Sequence, residues 1–272
     1  MMEPLTVLVA DPEGDSALPE GLDAGLLHAT RSIETACDAR RVFVVSSATE
    51  LPAVAPCISR AARKHRLHGL FVRNDMGEHW VMQIFERASL RRIRNSVVHR
   101  DMRVGQRILQ AMALGAPEHF IADATVANGR IHAMDCAFNL YEMAFDAYPS
   151  LRRIPPDRRQ DYDVIMDGAY LHWDDYDVDL DLESIRIATD PRLRARVQRE
   201  RVMHDQAFGA AVRVFRDEMG LRQSDVAGLS ERQVRRIEKG ETVTPAAVDA
   251  LAAAHGLDPD TYLHEVAERI AD

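Results

Sequence analysis

The sequence predicts an α+β multidomain chain, with an N-terminal α/β layer domain, a small β-rich central domain and an all-α C-terminal bundle. Three observations lead there. Up to about Ala116, short β-branched runs alternate with amphipathic stretches. From Phe120 to about Arg186, hairpin signals and one strictly alternating run dominate, and beyond Asp190 the pattern is helical, with caps and closing glycines. The segments are taken as 1–116, 117–188, a basic linker helix 189–206, and 207–272.

In the first segment Leu5–Val9, Val42–Val45, Leu70–Val72 and Trp80–Phe85 read as strands, being short and rich in β-branched or aromatic residues. Gly21–Ala39, Thr49–Arg66 and Ala88–Leu114 read as helices, and Asn74–Gly77 as a hairpin turn joining the third and fourth strands. In the central segment Asn128-Gly129, the strongest short hairpin signal, sits between two apolar runs, and a further strand is expected at Leu140–Phe145. A short helix is expected from Pro156 to Tyr162, then a second hairpin from Val164 to Trp173 around Asp167-Gly168. Asp177–Glu183 alternates, placing Val178, Leu180 and Leu182 on the inward face.

Asp190 can cap a helix with Pro191 at its first position, and the arginine-rich stretch to Gln206 runs on toward the last segment as a stiff connection. From Leu221 to Gly240 the chain reads as two short helices joined by a tight turn. Ser230 and Gln233 form a capping box, so the second helix starts at Glu231, and Gly240 closes it. Val234 and Ile237 point one way, while Arg232, Arg235, Arg236 and Lys239 point elsewhere. Such a helix presents Glu231 and its arginines near the half that touches base edges in a major groove, and arginine suits bidentate bonds to guanine.

On these residues the stretch from Phe208 to Leu263 resembles the lambda-repressor/Cro-like (Xre) helix-turn-helix family. The features carrying the resemblance are Gln223 opening the second helix, Ala227 packing it, Ser230 and Gln233, Val234 and Ile237, Glu238-Lys239-Gly240, Thr244-Pro245, and the run from Val248 to Leu257. The resemblance implies base contacts from Glu231, Arg232 and Arg235 or Arg236, phosphate contacts from Gln223 and Lys239, and a structural ion pair between Arg216 and Glu238. One departure stands out: only Gly228 and Leu229 separate Ala227 from Ser230, which shortens the second helix or its turn by nearly one turn. Residues 117–188 resemble a small uncharacterised β-rich domain that precedes such units in bacterial proteins, through Pro149-Ser-Leu151, Asp167–Trp173 and the alternating run; no chemistry comes with it.

The net charge of −9 speaks against a nucleic-acid partner until its distribution is read. From Pro191 to Gly240 there are 12 Lys and Arg against 7 Asp and Glu, and elsewhere 22 against 36. Positive charge is therefore concentrated where the motif lies. Cys37, Cys57 and Cys136 are scattered without Cys-x-x-Cys spacing, which disfavours a disulfide scaffold or the usual zinc site and suits a reducing cytoplasm. The apolar run Leu5–Ala10 is too short for a membrane span.

Other clusters read blandly. The acidic run His172–Glu183 lacks the glycine and spacing of a calcium loop and reads as a solvated strand face. Cys57 with His65 and His68 lacks an orienting acid, and Gly14, Gly21 and Gly25 form no phosphate loop. Arg87, Arg91, Arg92, Arg94, Arg100, Arg103 and Arg107, spread over one long helical stretch, offer either a second anionic-partner surface or pairing within the acidic body; the second is favoured. The expectation is a dimeric, sequence-specific regulator of double-stranded DNA, without cofactor, metal or catalysis. Its N-terminal domains would serve dimerisation, sensing or a protein partner. An antitoxin-like factor that represses its own operon is the alternative.

Overall fold

A computed structural model describes residues 4–19, 25–76 and 78–271. The chain divides into two compact units, Met1–Thr189 and Asp190–Asp272. The mixed α/β N-terminal region, the small antiparallel sheets and the helical C-terminal region follow the predicted fold class.

The first unit is built on β1 (Leu5–Val9), β2 (Leu27–Thr30), α1 (Ile33–Asp38), β3 (Val42–Ser47), α2 (Leu51–Arg63), β4 (Leu67–Arg73), α3 (Glu78–Arg87), β5 (Ser96–His99) and α4 (Met102–Ala113). All neighbouring strands are parallel, in the order β2-β1-β3-β4-β5. Both faces of the sheet are covered, as parallel sheets require. Leu5, Val7, Phe43 and Phe71 pack with α4, whereas Leu8, Val44, Leu70 and Val72 pack with α1, α2 and α3.

This topology corrects four expectations. Trp80–Phe85 is helical, with Trp80 and Met82 exposed and Ile84 and Phe85 packed on the sheet, which is a period near 3.6 and not 2. The turn expected at Asn74–Gly77 does not join antiparallel strands, because β4 is followed by a crossover helix to a parallel partner; Gly77 itself lies outside the described residues. Ala88–Leu114 is not one helix. The β-branched pair Val97-Val98 inserts β5, and Asp101 then caps α4 by accepting from the Arg103 amide at 2.9 Å. Within the expected helix Gly21–Ala39, β2 and then α1 appear, the latter capped by Ser32; residues 20–24 lie outside the described residues.

Two three-stranded antiparallel sheets complete the unit: β6 (Ile121–Ala127), β7 (Arg130–Asp135) and β8 (Leu140–Ala144), then β9 (Asp163–Ile165), β10 (Tyr170–Trp173) and β11 (Val178–Asp181), followed by α5 (Leu182–Thr189). Asn128 and Gly129 both take positive φ, 52° and 71°, as a tight hairpin turn demands. The helix expected from Pro156 is a single 3₁₀ turn to Arg158. Trp173 is the buried centre, edge-on to Phe145 at 5.7 Å, with its indole N–H donating to Arg159 O at 3.1 Å. Ala122 and Cys136 sit in the same core as Val7 and Phe43, so the small sheets and the parallel sheet share packing.

The second unit holds α6 (Pro191–Glu218), α7 (Glu231–Glu238), α8 (Pro245–Ala254) and α9 (Pro259–Ala271). Asp190 caps α6 and Pro191 occupies its first turn. The linker stretch and the first helix of the bundle are one continuous 28-residue helix. Val212, Phe215, Val226, Val234, Leu251, Tyr262 and Val266 form the core.

Candidate nucleic-acid interface

α7 is defined by local chemistry at both ends. The Ser230 hydroxyl accepts from the Gln233 amide at 3.3 Å, and the Gln233 side chain accepts from the Ser230 amide at 2.8 Å, so two amides that the helix start leaves orphaned are satisfied. Gly240 ends it at φ +84°. Val234 and Ile237, 0% and 6% exposed, anchor it in the core. Glu231, Arg232, Gln233, Arg235 and Arg236 are exposed, as is Lys239 just beyond.

Two glycines allow α6 to cross the end of α7 at backbone contact. A Cβ at Gly209 would lie 2.4 Å from Ile237 O, and one at Gly240 would lie 2.7 Å from Gln206 Cα. Neither position can carry a side chain without moving a helix.

A buried polar knot fixes the orientation of α7. The Arg216 guanidinium reaches Glu238 at 2.6 Å and donates to Leu221 O at 2.6 Å, with Asp217 also at 2.6 Å. The other Glu238 oxygen accepts from the Gln223 amide at 2.7 Å. The hydrogen bond to Glu238 holds the Arg216 guanidinium above its ordinary pKa. Gln223, expected at a phosphate, thus spends its amide on the knot, while its side of the unit borders a recess of about 290 Å³ shared with Arg213, Arg235 and Lys239.

The stretch before α7 departs from the two-helix expectation. Gln223–Asp225 is one 3₁₀ turn, closed by the Asp225 carboxylate accepting from the Arg222 amide at 2.8 Å. Val226, not Ala227, packs into the core; Ala227 is exposed. With so few residues before Ser230, an α-helical turn would carry Val226 off its contact, and Gly228 at φ +86° reverses the chain instead.

Arg232, Arg235, Arg236 and Lys239, with Ser230, Glu231 and Glu241, line an open depression of about 890 Å³ along α7. Arg236 is bound to Glu241, whose carboxyl is held below its ordinary pKa by that bond first and then by the nearby cations. Sequence reasoning missed Glu241 because it ended the motif at Gly240; an acid following a basic helix and its closing glycine was the available signal.

Residues 207–264 match the family model of a helix-turn-helix domain. No curated protein and no solved structure matches the chain. The helix-turn-helix domain thus covers about a fifth of the sequence and contains the whole α7 constellation.

The remaining sequence candidates are dispersed. Asp179 and Asp174 flank His172 at 2.7 and 3.3 Å, and Asp181 accepts from the Ser184 amide at the start of α5. Cys57 is buried with its thiol directed at Ile33 O, and burial pushes its pKa up to about 12; His68 contacts Arg41 and Arg66 O. Arg91 pairs with Glu86, Arg103 with Asp101, and half-buried Arg107 donates to Ala122 O. Among the described residues no helix is long and apolar enough to cross a membrane.

Proposed function

We propose that the protein is a sequence-specific, DNA-binding transcriptional regulator of the lambda-repressor/Cro-like (Xre) kind, acting in the cytoplasm without cofactor or catalysis. One observation carries the reading: α7 is anchored through Val234 and Ile237 and presents Glu231, Arg232, Arg235 and Arg236 to solvent along an open depression. A helix of this length fits the major groove, where its N-terminal side chains reach base edges and Lys239 lies toward a phosphate. The buried Arg216–Glu238–Gln223 knot supports the reading, since it sets the angle at which α7 leaves the bundle. We assign the protein as a homodimer, because one such unit reads a half-site too short for specificity among competing sites. The segments 1–116 and 117–188 are assigned to dimerisation or sensing.

Selection of bound sequences from a random duplex library by the full-length chain, at two salt concentrations, tests the reading. A symmetric consensus that persists at the higher salt supports it. Recovery of no preferred sequence at either concentration overturns it.

A further inference from the structure

The parallel sheet brings the amino-terminal ends of β3, β4 and β5 to one edge, together with the carboxy-terminal ends of the helices that return across it. The ladder is continuous there: Val42 N–H donates to Arg66 O at 2.9 Å, and Leu70 N–H donates to Asn95 O at 3.0 Å. The three segments that form the edge, 38–42, 60–67 and 86–96, carry ten Lys and Arg against Asp38 and Glu86, while the rest of the chain carries 24 against 41. The fold therefore collects, from three places in an acidic sequence, a single cationic border.

α2 contributes Arg60 and Arg63 in its last turn and Lys64 just after it, all exposed. α3, packed on the same face of the sheet, ends in exposed Arg87, and the loop into β5 adds exposed Arg92 and Arg94. None of these forms an ion pair among the described residues, in contrast to Arg91 beside them, which pairs with Glu86. Basic residues in a last helical turn are ordinarily explained by the helix dipole, worth about half a negative charge at the carboxy-terminal end. That accounts for Arg60, Arg63 and Arg87 but leaves Lys64, Arg66, Arg92 and Arg94 as surplus positive charge.

We propose that this edge is a second polyanion-binding surface, and that its occupant is the phosphodiester backbone of duplex DNA, held without regard to sequence. The choice of DNA rests on the regulator reading above; the border itself does not. Nine of the ten cations are arginine, whose planar fork matches phosphate. The three segments contain no Phe, Tyr or Trp, so the stacking platforms that hold unpaired bases are missing from them, which favours a duplex over a single strand.

The full-length chain carrying Arg63→Gln, Lys64→Gln, Arg92→Gln and Arg94→Gln tests this, with binding to a sequence-neutral duplex followed by fluorescence anisotropy over a salt series. Each lost phosphate contact removes about 0.9 from the slope of log K against log salt, so the four changes should flatten it by about 3 to 4. The consensus selected from a random library should stay the same, and replacing the three arginines by lysine should preserve the slope. A variant with the parent's melting temperature and an unchanged slope overturns the proposal, as does a loss confined to single-stranded RNA or to phosphatidylserine vesicles. If the parent selects no consensus yet the quadruple variant still flattens the slope, the regulator reading fails while the cationic edge stands.

Discussion

Arg216 on α6 and Glu238 at the end of α7 meet at 2.6 Å with side chains only 8% and 5% exposed. Arg216 also takes Leu221 O, and Glu238 also takes the Gln223 amide, so one ion pair ties α6, the turn and α7 together. Removing one partner leaves the other charge buried without its counter-ion. Arg216→Ala should therefore cost about 3 kcal/mol of stability. Thermal unfolding of the full chain checks this; an unaltered melting temperature would show the pair to be dispensable.

Gly209→Ala should act on the same geometry from the backbone side. Its methyl would lie 2.4 Å from Ile237 O, which is backbone and cannot rotate away. The expected outcome is a loss of about 1–3 kcal/mol and weakened duplex binding, because α7 must shift. Wild-type stability with wild-type affinity would mean that α6 and α7 separate more easily than their contact implies.

Arg232→Ala tests base reading by α7. The side chain is exposed and outside the buried knot, so folding should be unaffected. Library selection should show relaxed preference at one position of the site, with a cost of about 1–3 kcal/mol on the preferred duplex. Retention of the same preference in this variant and in Arg235→Ala would remove both residues from the reading surface.

Glu241→Gln should strengthen binding. In the free protein Glu241 holds the Arg236 guanidinium and sits near Arg232 and Lys239. Without that carboxylate Arg236 is released toward phosphate, and the salt slope should steepen by about 1. Titration of a neutral duplex at several salt concentrations decides it; equal slopes for parent and variant would leave Glu241 without influence on binding.

His172 supplies a pH dependence in the first unit. Its bonds to Asp179 and then Asp174 raise its pKa above the ordinary value, because both favour the imidazolium. The folded pKa lies above the unfolded one, so the contribution to stability is fully present below about pH 6.5 and is lost as pH rises through the folded value. Denaturant midpoints measured between pH 5.5 and 8.5 should fall over that window in the parent and much less in His172→Gln. Parallel curves would place the two aspartates outside the titration of His172.

What could be read correctly along the chain was short-range. Ser230 with Gln233, Gly240, Asp190 with Pro191, and Asn128 with Gly129 each act through atoms a few residues apart, so their outcome does not depend on the rest of the fold. The α7 constellation was visible for the same reason, since Val234 and Ile237 mark its buried side within one helical turn. Trp80–Phe85 and Ala88–Leu114 were misread because a brief apolar run satisfies two periods at once, and only its neighbours decide between them.

The sequence by itself determined where α6 and α7 start, where α7 ends, where the chain turns at Asn128-Gly129, and which helix carries exposed arginines over an apolar anchor. Tertiary structure alone decided that β5 pairs in parallel with β4, that Gln223 turns inward to Glu238, and that cations from three distant segments share one sheet edge. The difference is physical. Caps and turns are settled by hydrogen bonds within a few residues, whereas strand order and charge clustering depend on contacts across long sequence separations, which exist only after the chain has closed on its core.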